Sequence, residues 1–215
     1  MKIQHLSFVD LGLCNYGLAL QKQKELLEKR AIDAIPDTLI LVEHSPVFTM
    51  GKHGKLENLL ISDRVLREKN VELYRIERGG DITFHGPGQL IGYPIFKINQ
   101  SLVGIRQFIF EIEKVLCNTL KSLDIQARSN HPYIGVWVEN RKIASIGIAV
   151  KNHVTFHGFA LNISTDLSYF DLINPCGLKN IKMTSIEKEL NKKIPIQSVK
   201  DCIKKEFLKV LLKIK

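Results

Sequence analysis

Arg78-Gly79-Gly80-Asp81-Ile82-Thr83-Phe84-His85-Gly86-Pro87-Gly88-Gln89 is the stretch on which the reading of this chain turns. It lies between two runs, Val71 to Glu77 and Leu90 to Phe96, whose apolar content predicts buried strands on either side of a loop. Two adjacent glycines and a later Gly-Pro-Gly allow positive φ and close approach of backbone to a ligand, because no Cβ intervenes. Arg78, Thr83 and His85 bring donors for a carbonyl or phosphate oxygen, and Pro87 stiffens the exit. An ordinary glycine-rich hairpin has the same punctuation, so the remainder of the chain has to decide between spacer and site.

Working outward, the 215 residues with 45% hydrophobic content suffice for one large domain with a small appendage. No apolar run approaches the roughly 20 residues that span a bilayer, and the opening residues lack the apolar core of a signal peptide, which points to a cytoplasmic protein with no membrane partner. Cys14, Cys117, Cys176 and Cys202 are widely spaced and form no Cys-x-x-Cys pair, so neither a zinc ribbon nor a disulfide framework is expected. The net charge is +9, of which +7 falls between Cys176 and Lys215. Those C-terminal lysines read as a solvated face or a surface for an acidic partner. They come without arginine and, apart from Phe207, without the aromatics of a single-strand binder, so nucleic-acid binding is the weaker, non-enzymatic alternative.

The pattern predicts a strand at Ile3 to Phe8, a helix over Tyr16 to Arg30 capped by Asn15, and a strand from Thr38 to Glu43 running into His44 to Gly51, a bent connection or second strand. A helix over Ile61 to Lys69 precedes the glycine stretch. The clearest helix is Ile105 to Leu123, where Phe108, Ile112, Val115, Leu116, Thr119 and Leu123 recur at three- or four-residue steps. Three strand-like runs follow, Ile134 to Val138, Ile143 to Val150 and Val154 to Ile163, with junctions short enough for hairpins. Asp166 to Asp171 predicts a helical turn, Thr184-Ser185-Ile186-Glu187 has capping-box spacing, and Ser198 is the expected cap of a last helix through Leu212. The whole reads as an α/β (α+β) chain, with residues 1–190 as the main domain and 191–215 as a basic helical appendage of it. Cys176, between Pro175 and Gly177, differs from the other cysteines in sitting on a turn that presents the thiol.

Four motifs in order, Arg78-Gly79-Gly80-x-x-Thr83-x-His85-Gly86-Pro87-Gly88-Gln89, Lys142 to Gly147, His157 to Asn162 and Pro175 to Leu178, resemble those of the lipoyl(octanoyl) transferases over about Thr38 to Glu187. The resemblance implies a mainly antiparallel mixed sheet packed with helices, similar to the catalytic domains of biotin and lipoate protein ligases, with a small C-terminal helical subdomain. It implies transfer of an octanoyl group from acyl carrier protein to a lysine of a lipoyl domain, in a 2-oxoacid dehydrogenase complex or the glycine cleavage H protein, as the first step of protein lipoylation. Cys176 would be the nucleophile and Lys142 the cation that favours its thiolate. Arg78, Gly79, Gly80, Asp81, Ile82, Thr83, Phe84 and His85, with Ser145, Ile146, Gly147, Gly158, Phe159 and Ala160, would hold the substrate, and His157 is a possible auxiliary. Because a thioester carries its own activation, no ATP, metal or other cofactor is expected, and the chain is expected to act as a monomer.

Small residues on the two strands would leave room for an acyl chain, whose six methylenes could contribute about 5 kcal/mol at roughly 0.8 each before ordering costs. Gly51-Lys52-His53 stands where many members have Gly-Arg-Arg, which keeps positive charge and loses bidentate geometry. The alternatives are an ATP-dependent lipoate or biotin ligase, which shares the fold and needs no cysteine, and a cysteine-dependent acyl thioesterase, which would pass the acyl group to water. A zinc site from Cys176, His85 and His157 has little support in the spacing.

Overall fold

The structure is a computed structural model and describes residues 6–98, 101–130, 132–175 and 181–211, the side chains of residues 102 and 211 excepted. Strand β1 (Ser7–Cys14) leads into helix α1 (Tyr16–Ala31), which crosses back to a parallel strand, β2 (Thr38–His44). Asn15 caps α1 by accepting the Gly17 N–H at 2.8 Å, and Lys29 and Arg30 complement the carbonyl end. Of the strand expected at Ile3 to Phe8, residues 3–5 lie outside the described residues, and β1 reaches further along the chain, to Cys14, than its apolar residues predict. Its register breaks between Asp10 and Leu13, where Gly12 takes φ +58° and donates to the Asp10 carboxylate, so the alternation that would have revealed it is lost.

After β2 come β3 (Val47–Met50), the short helix α2 (Asp63–Glu68), β4 (Glu72–Arg75) and β5 (Ile82–His85). These three strands form a small sheet in the order β4-β3-β5. Two expectations are corrected here. The run Val71 to Glu77 yields only β4, half-buried because it is an edge strand, and the supposed loop contains a fully buried strand, β5. Glycine signals turns, but Ile82-Thr83-Phe84-His85 has the β-branched and aromatic content that pairs well, and it pairs with β3.

The main sheet continues with β6 (Gln89–Ile95), helix α3 (Leu102–Lys121), β7 (Arg128–Asn130), β8 (Tyr133–Val138), β9 (Arg141–Lys151), β10 (Val154–Asn162) and β11 (Lys182–Met183). Strand order is β1-β2-β6-β10-β9-β8-β7, antiparallel throughout except for β1 with β2, while β11 runs parallel to β9 at Arg141 and Lys142. The β8-β9-β10 meander is as predicted, its second turn made by Asn152 and His153 at φ +51° and +63°.

One face of the sheet is covered by α3 and by α5 (Ile196–Leu211), the other by α1. Phe108, Ile112, Val115 and Leu116 of α3 meet Val199, Ile203 and Phe207 of α5 in one cluster, and the Phe207 ring lies 6.0 Å from that of Phe159 on β10. The last helix is therefore built into the principal core. Ser185, not Thr184, caps the short helix α4 (Ile186–Leu190), and Thr184 instead donates to Glu189. Because α5 begins at Ile196, Ser198 lies inside its first turn, where its N–H bonds to the Pro195 carbonyl.

Candidate active site

A cleft of about 500 Å³, its open mouth included, lies on the α1 face of the sheet, within the roughly 300–1,000 Å³ usual for small-ligand sites. Its floor is Ile91 and Tyr93 of β6, Ser145, Ile146 and Gly147 of β9, and Gly158, Phe159 and Ala160 of β10. Its roof is the segment from Ile76 to His85, closed on one side by Tyr16 at the start of α1. Stretches distant along the chain are thus brought together, as the motifs anticipate. The glycines explain how closely: Gly79 N–H donates to Ile148 O at 3.0 Å, and a Cβ on Gly147 would stand 2.9 Å from Gly79 O. With any larger residue there the roof could not rest on the strand.

Of the anticipated substrate residues, Arg78, Gly79, Gly80, Asp81, Ile82, Thr83, His85, Ser145, Ile146, Gly147, Gly158, Phe159 and Ala160 all line the cleft, and so does His157. Phe84 does not. Alternation along β5 turns it into a separate cluster with Phe48 and Phe170, where it stacks on Tyr169 at 4.4 Å between centroids. Arg78 is buried and donates to Thr49 O at 2.5 Å, Thr49 Oγ1 at 3.0 Å and Gly79 O at 3.0 Å, so its guanidinium shapes the roof. Asp81 accepts from Ile82 N, Lys55 N and Asn58 Nδ2, at 2.7, 3.2 and 2.6 Å. The Gly51-Lys52-His53 backbone bonds to the carbonyls of Asp81, Arg78 and Gly80, which leaves Lys52 and His53 exposed beside the roof.

His85 is not free to reach a substrate carbonyl. The amide of Gln89 donates to Phe84 O at 3.2 Å and Asn162 Oδ1 at 2.8 Å, so its oxygen must accept from His85 Nδ1, at 2.8 Å. Thr49 Oγ1 then donates to His85 Nε2 at 3.2 Å, and Asn162 Nδ2 donates to Thr184 O at 3.0 Å. A directed chain of hydrogen bonds thus runs from Arg78 under the cleft to the carbonyl beside β11. Burial, with His44 nearby, pushes the His85 pKa down to about 3 and keeps the ring neutral. His44 is held the same way: its Nδ1 donates to Cys14 O at 2.8 Å, Tyr93 Oη donates to its Nε2 at 2.7 Å, and burial takes it down to about 4.

His157 is a different case. Although it lies within β10 its φ is +56°, and Gln23 of α1 accepts its backbone N–H at 2.8 Å. Its ring is 2% exposed, faces the cleft, and has Glu77 at 3.6 Å as an ion-pair neighbour with no hydrogen bond to either nitrogen among the described residues. Burial and Arg78 lower its pKa to about 4, against the opposing pull of Glu77.

A lysine beside an arginine at a hairpin is usually solvated, yet Lys142 is 2% exposed. The β8-β9 register shifts between Val136 and Trp137, leaving Ile143 and Ala144 both in the α3-side core, so this bulge turns Lys142 toward the face that carries Ser145 and Gly147. Its Nζ lies 5.5 Å from the centre of the Trp137 ring. Cys176 lies outside the described residues. The chain on its N-terminal side is fixed by Asn174 N–H donating to Asn58 O at 2.8 Å, and on its C-terminal side β11 pairs with Lys142, whose carbonyl accepts the Thr184 N–H at 3.0 Å. Cys117, by contrast, has its thiol pushed up to about 11 by burial, as befits a packed side chain. Sequence reasoning gave no role to Tyr16, Gln23, His44, Thr49 or Tyr93. Gln89 and Asn162 were visible only as the ends of their motifs.

The family profile described as "Lipoyl protein ligase A/B catalytic domain" matches residues 15–208. The octanoyltransferase of Dictyoglomus thermophilum is 49% identical over 185 residues, covering 86% of this chain and 78% of the relative, and that of Alkaliphilus metalliredigens 48% over 187 residues, covering 86% of each. Among solved structures, LipL1 of P. falciparum in complex with lipoate superposes with a TM-score of 0.76 at 18% identity, over 95% of this chain and 62% of that one. A bi-partite lipoate protein ligase of Thermoplasma acidophilum gives 0.73 at 15%, over 96% and 84%, and the biotin protein ligase of Aquifex aeolicus 0.55 at 11%, over 97% and 69%. These distant structures establish the fold: a mixed α/β architecture shared with the ligases. At 40–49% identity to octanoyltransferases over most of its length, this chain belongs to the octanoyltransferase family within the lipoyl protein ligase A/B catalytic domain group.

Proposed function

We propose that this enzyme, an octanoyltransferase, moves its acyl group in two steps through a thioester on Cys176. In the first, the Cys176 thiolate attacks the carbonyl carbon of octanoyl-acyl carrier protein, the bond to the pantetheine sulfur breaks, and that sulfur takes a proton from the Lys142 ammonium and leaves as a thiol, with Lys142 left as the neutral amine. In the second, the amine of a lipoyl-domain lysine attacks the new thioester and gives its proton to Lys142, the carbon–sulfur bond breaks as the amide forms, and Cys176 is released as the thiolate beside the restored ammonium. Exchange of one thioester for another is nearly thermoneutral, and amide formation draws the sequence forward, so neither ATP nor a metal has a task. An unperturbed thiol, with pKa about 8.5, is only a few per cent thiolate at pH 7, so a nearby cation is required. Lys142 supplies it, and as a neutral amine accepts the proton of the attacking lysine.

The observation that carries this reading is a lysine buried on the cleft face of β9 and bonded through its own backbone to the strand that follows Cys176. From Lys142 the acyl chain runs along β9 over Ser145 toward Gly147, where the roof closes on the strand. By the β9-β10 register His157 opposes Ile148, six residues and about 20 Å from Lys142, so it walls the far end of the cleft and takes no part at the thioester. The donor is acyl carrier protein, which the C-terminal lysines attract, and the acceptor is a lipoyl domain, both met in the cytoplasm. Transfer to an apo lipoyl domain should proceed from octanoyl-acyl carrier protein without nucleotide and show ping-pong kinetics. Activity from free octanoate only with ATP would make the enzyme a ligase, and steady release of free acid in the presence of the lipoyl domain would make it a thioesterase.

A further inference from the structure

Gly135 on β8 has φ +131°, in the region that favours glycine, and lies two residues before Trp137, the cross-strand partner of Lys142. A Cβ built there would stand 2.6 Å from Lys142 Cε, 3.2 Å from its Nζ and 2.6 Å from Ala144 O. The lysine side chain therefore does not extend past β8 but lies down across it, over the bare α-carbon of Gly135, with the Trp137 ring beside its ammonium at 5.5 Å. The backbone at this point is held as well, because Glu113 of α3, itself buried, accepts the Gly135 N–H at 3.1 Å. A glycine and an indole on β8 and a carboxylate on α3 thus fix where one amine can be.

We propose that Gly135 is a positioning residue for the reaction: its missing side chain is the slot that seats Lys142, and Glu113 keeps that slot in register. The inference rests on the reading of Lys142 as the cation that activates Cys176, and adds that the amine acts from one position, which β8 imposes. Any side chain at 135 lifts Nζ out of the slot while leaving lysine in the sequence, so charge is retained and geometry lost.

Trp137 is the single tryptophan of the chain, so its emission reports the seat of Lys142 directly. Four proteins are compared: the native enzyme, Lys142→Met, Gly135→Ala, and the double variant. Each is measured for Trp137 emission and for the pH profile of Cys176 alkylation by iodoacetamide, with Cys176→Ser subtracted to remove the other thiols. Lys142→Met should shift the emission and move the alkylation profile to higher pH, with about tenfold slower thiol reaction at pH 7 for each unit moved. Gly135→Ala should reproduce most of both changes, and the double variant should show no more than Lys142→Met alone. Native emission and a native alkylation profile in Gly135→Ala, beside altered ones in Lys142→Met, overturn the proposal. An unchanged profile in Lys142→Met sinks instead the role of Lys142 itself, while the emission comparison still tests the slot. Since alanine also meets Ala144 O, a Gly135→Ala chain that does not fold is replaced by Glu113→Leu, which frees the Gly135 N–H without adding an atom against Lys142. Its Trp137 emission should shift in the same direction as in Lys142→Met, and unchanged emission refutes the seat.

Discussion

Acidification from pH 7 to pH 5 should destabilise this protein well before its carboxylates titrate, because three buried histidines are held neutral. His44 shows the size of the effect. Its Nδ1–H is committed to Cys14 O and its Nε2 lone pair to the Tyr93 hydroxyl, a pattern that only the neutral ring can make, and burial lowers its pKa from 6.5 to about 4. As pH falls, the unfolded chain takes up this proton first, so stability is whole above about 6.5 and is lost progressively down to about 4. The full window is worth about 3 kcal/mol, of which about 2 kcal/mol is gone at pH 5. His85, lowered to about 3, and His157, lowered to about 4, act with the same sign, and each feels the charges of its neighbours, so the total at pH 5 lies between about 2 and 6 kcal/mol. Against a usual total of about 5–15 kcal/mol this is large. Urea unfolding followed at pH 7, 6 and 5 measures it, and His44→Gln, which keeps a donor and an acceptor but cannot titrate, isolates one share. The variant should lose about 2 kcal/mol less than the native chain between pH 7 and 5. Identical losses in the two proteins would refute the assignment of His44 as a buried neutral ring.

Two further outcomes follow from the cleft. Gln23→Leu removes the acceptor of the His157 N–H at a left-handed position inside β10, and should cost about 1–3 kcal/mol in thermal or urea unfolding; a change below about 0.5 kcal/mol would mean that α1 does not hold that kink. Gly147→Val places atoms where a Cβ alone already comes within 2.9 Å of the Gly79 carbonyl, so acylation by an octanoyl donor should fall at least about tenfold while a butanoyl donor suffers less. Equal losses for both chain lengths, measured in single turnover, would place the tail elsewhere.

What the sequence made legible was chiefly local. The β8-β9-β10 meander could be read because its turns are two or three residues and its strands alternate, and α3 could be read because a long amphipathic stripe leaves little ambiguity. The cleft was visible as glycines with polar flanks, and their spacing requires close approach of backbones whichever fold supplies the other wall. Phe84 shows the limit. Inside a motif it reads as a contact residue, but the two-residue period of a strand that the glycines concealed turns it into the core. The partners of His85 and His157 were equally hidden, since Thr49 and Gln23 come from 36 and 134 residues away and carry no local pattern. The burial of Lys142 depends on a bulge, an extra residue whose presence is decided by register between strands. Tertiary pairing, not residue type, sets each of these.

The claim at the centre of this account is that the octanoyl group rests on Cys176 between donor and acceptor. Intact-mass measurement after mixing the enzyme with octanoyl-acyl carrier protein alone, with no lipoyl domain, tests it most directly. The native chain should gain one octanoyl group, lost on adding an apo lipoyl domain, and Lys142→Ala should gain it much more slowly. Cys176→Ser should gain none at all. An adduct of equal size and rate on Cys176→Ser, or turnover by the native chain with no adduct at any time, would contradict it.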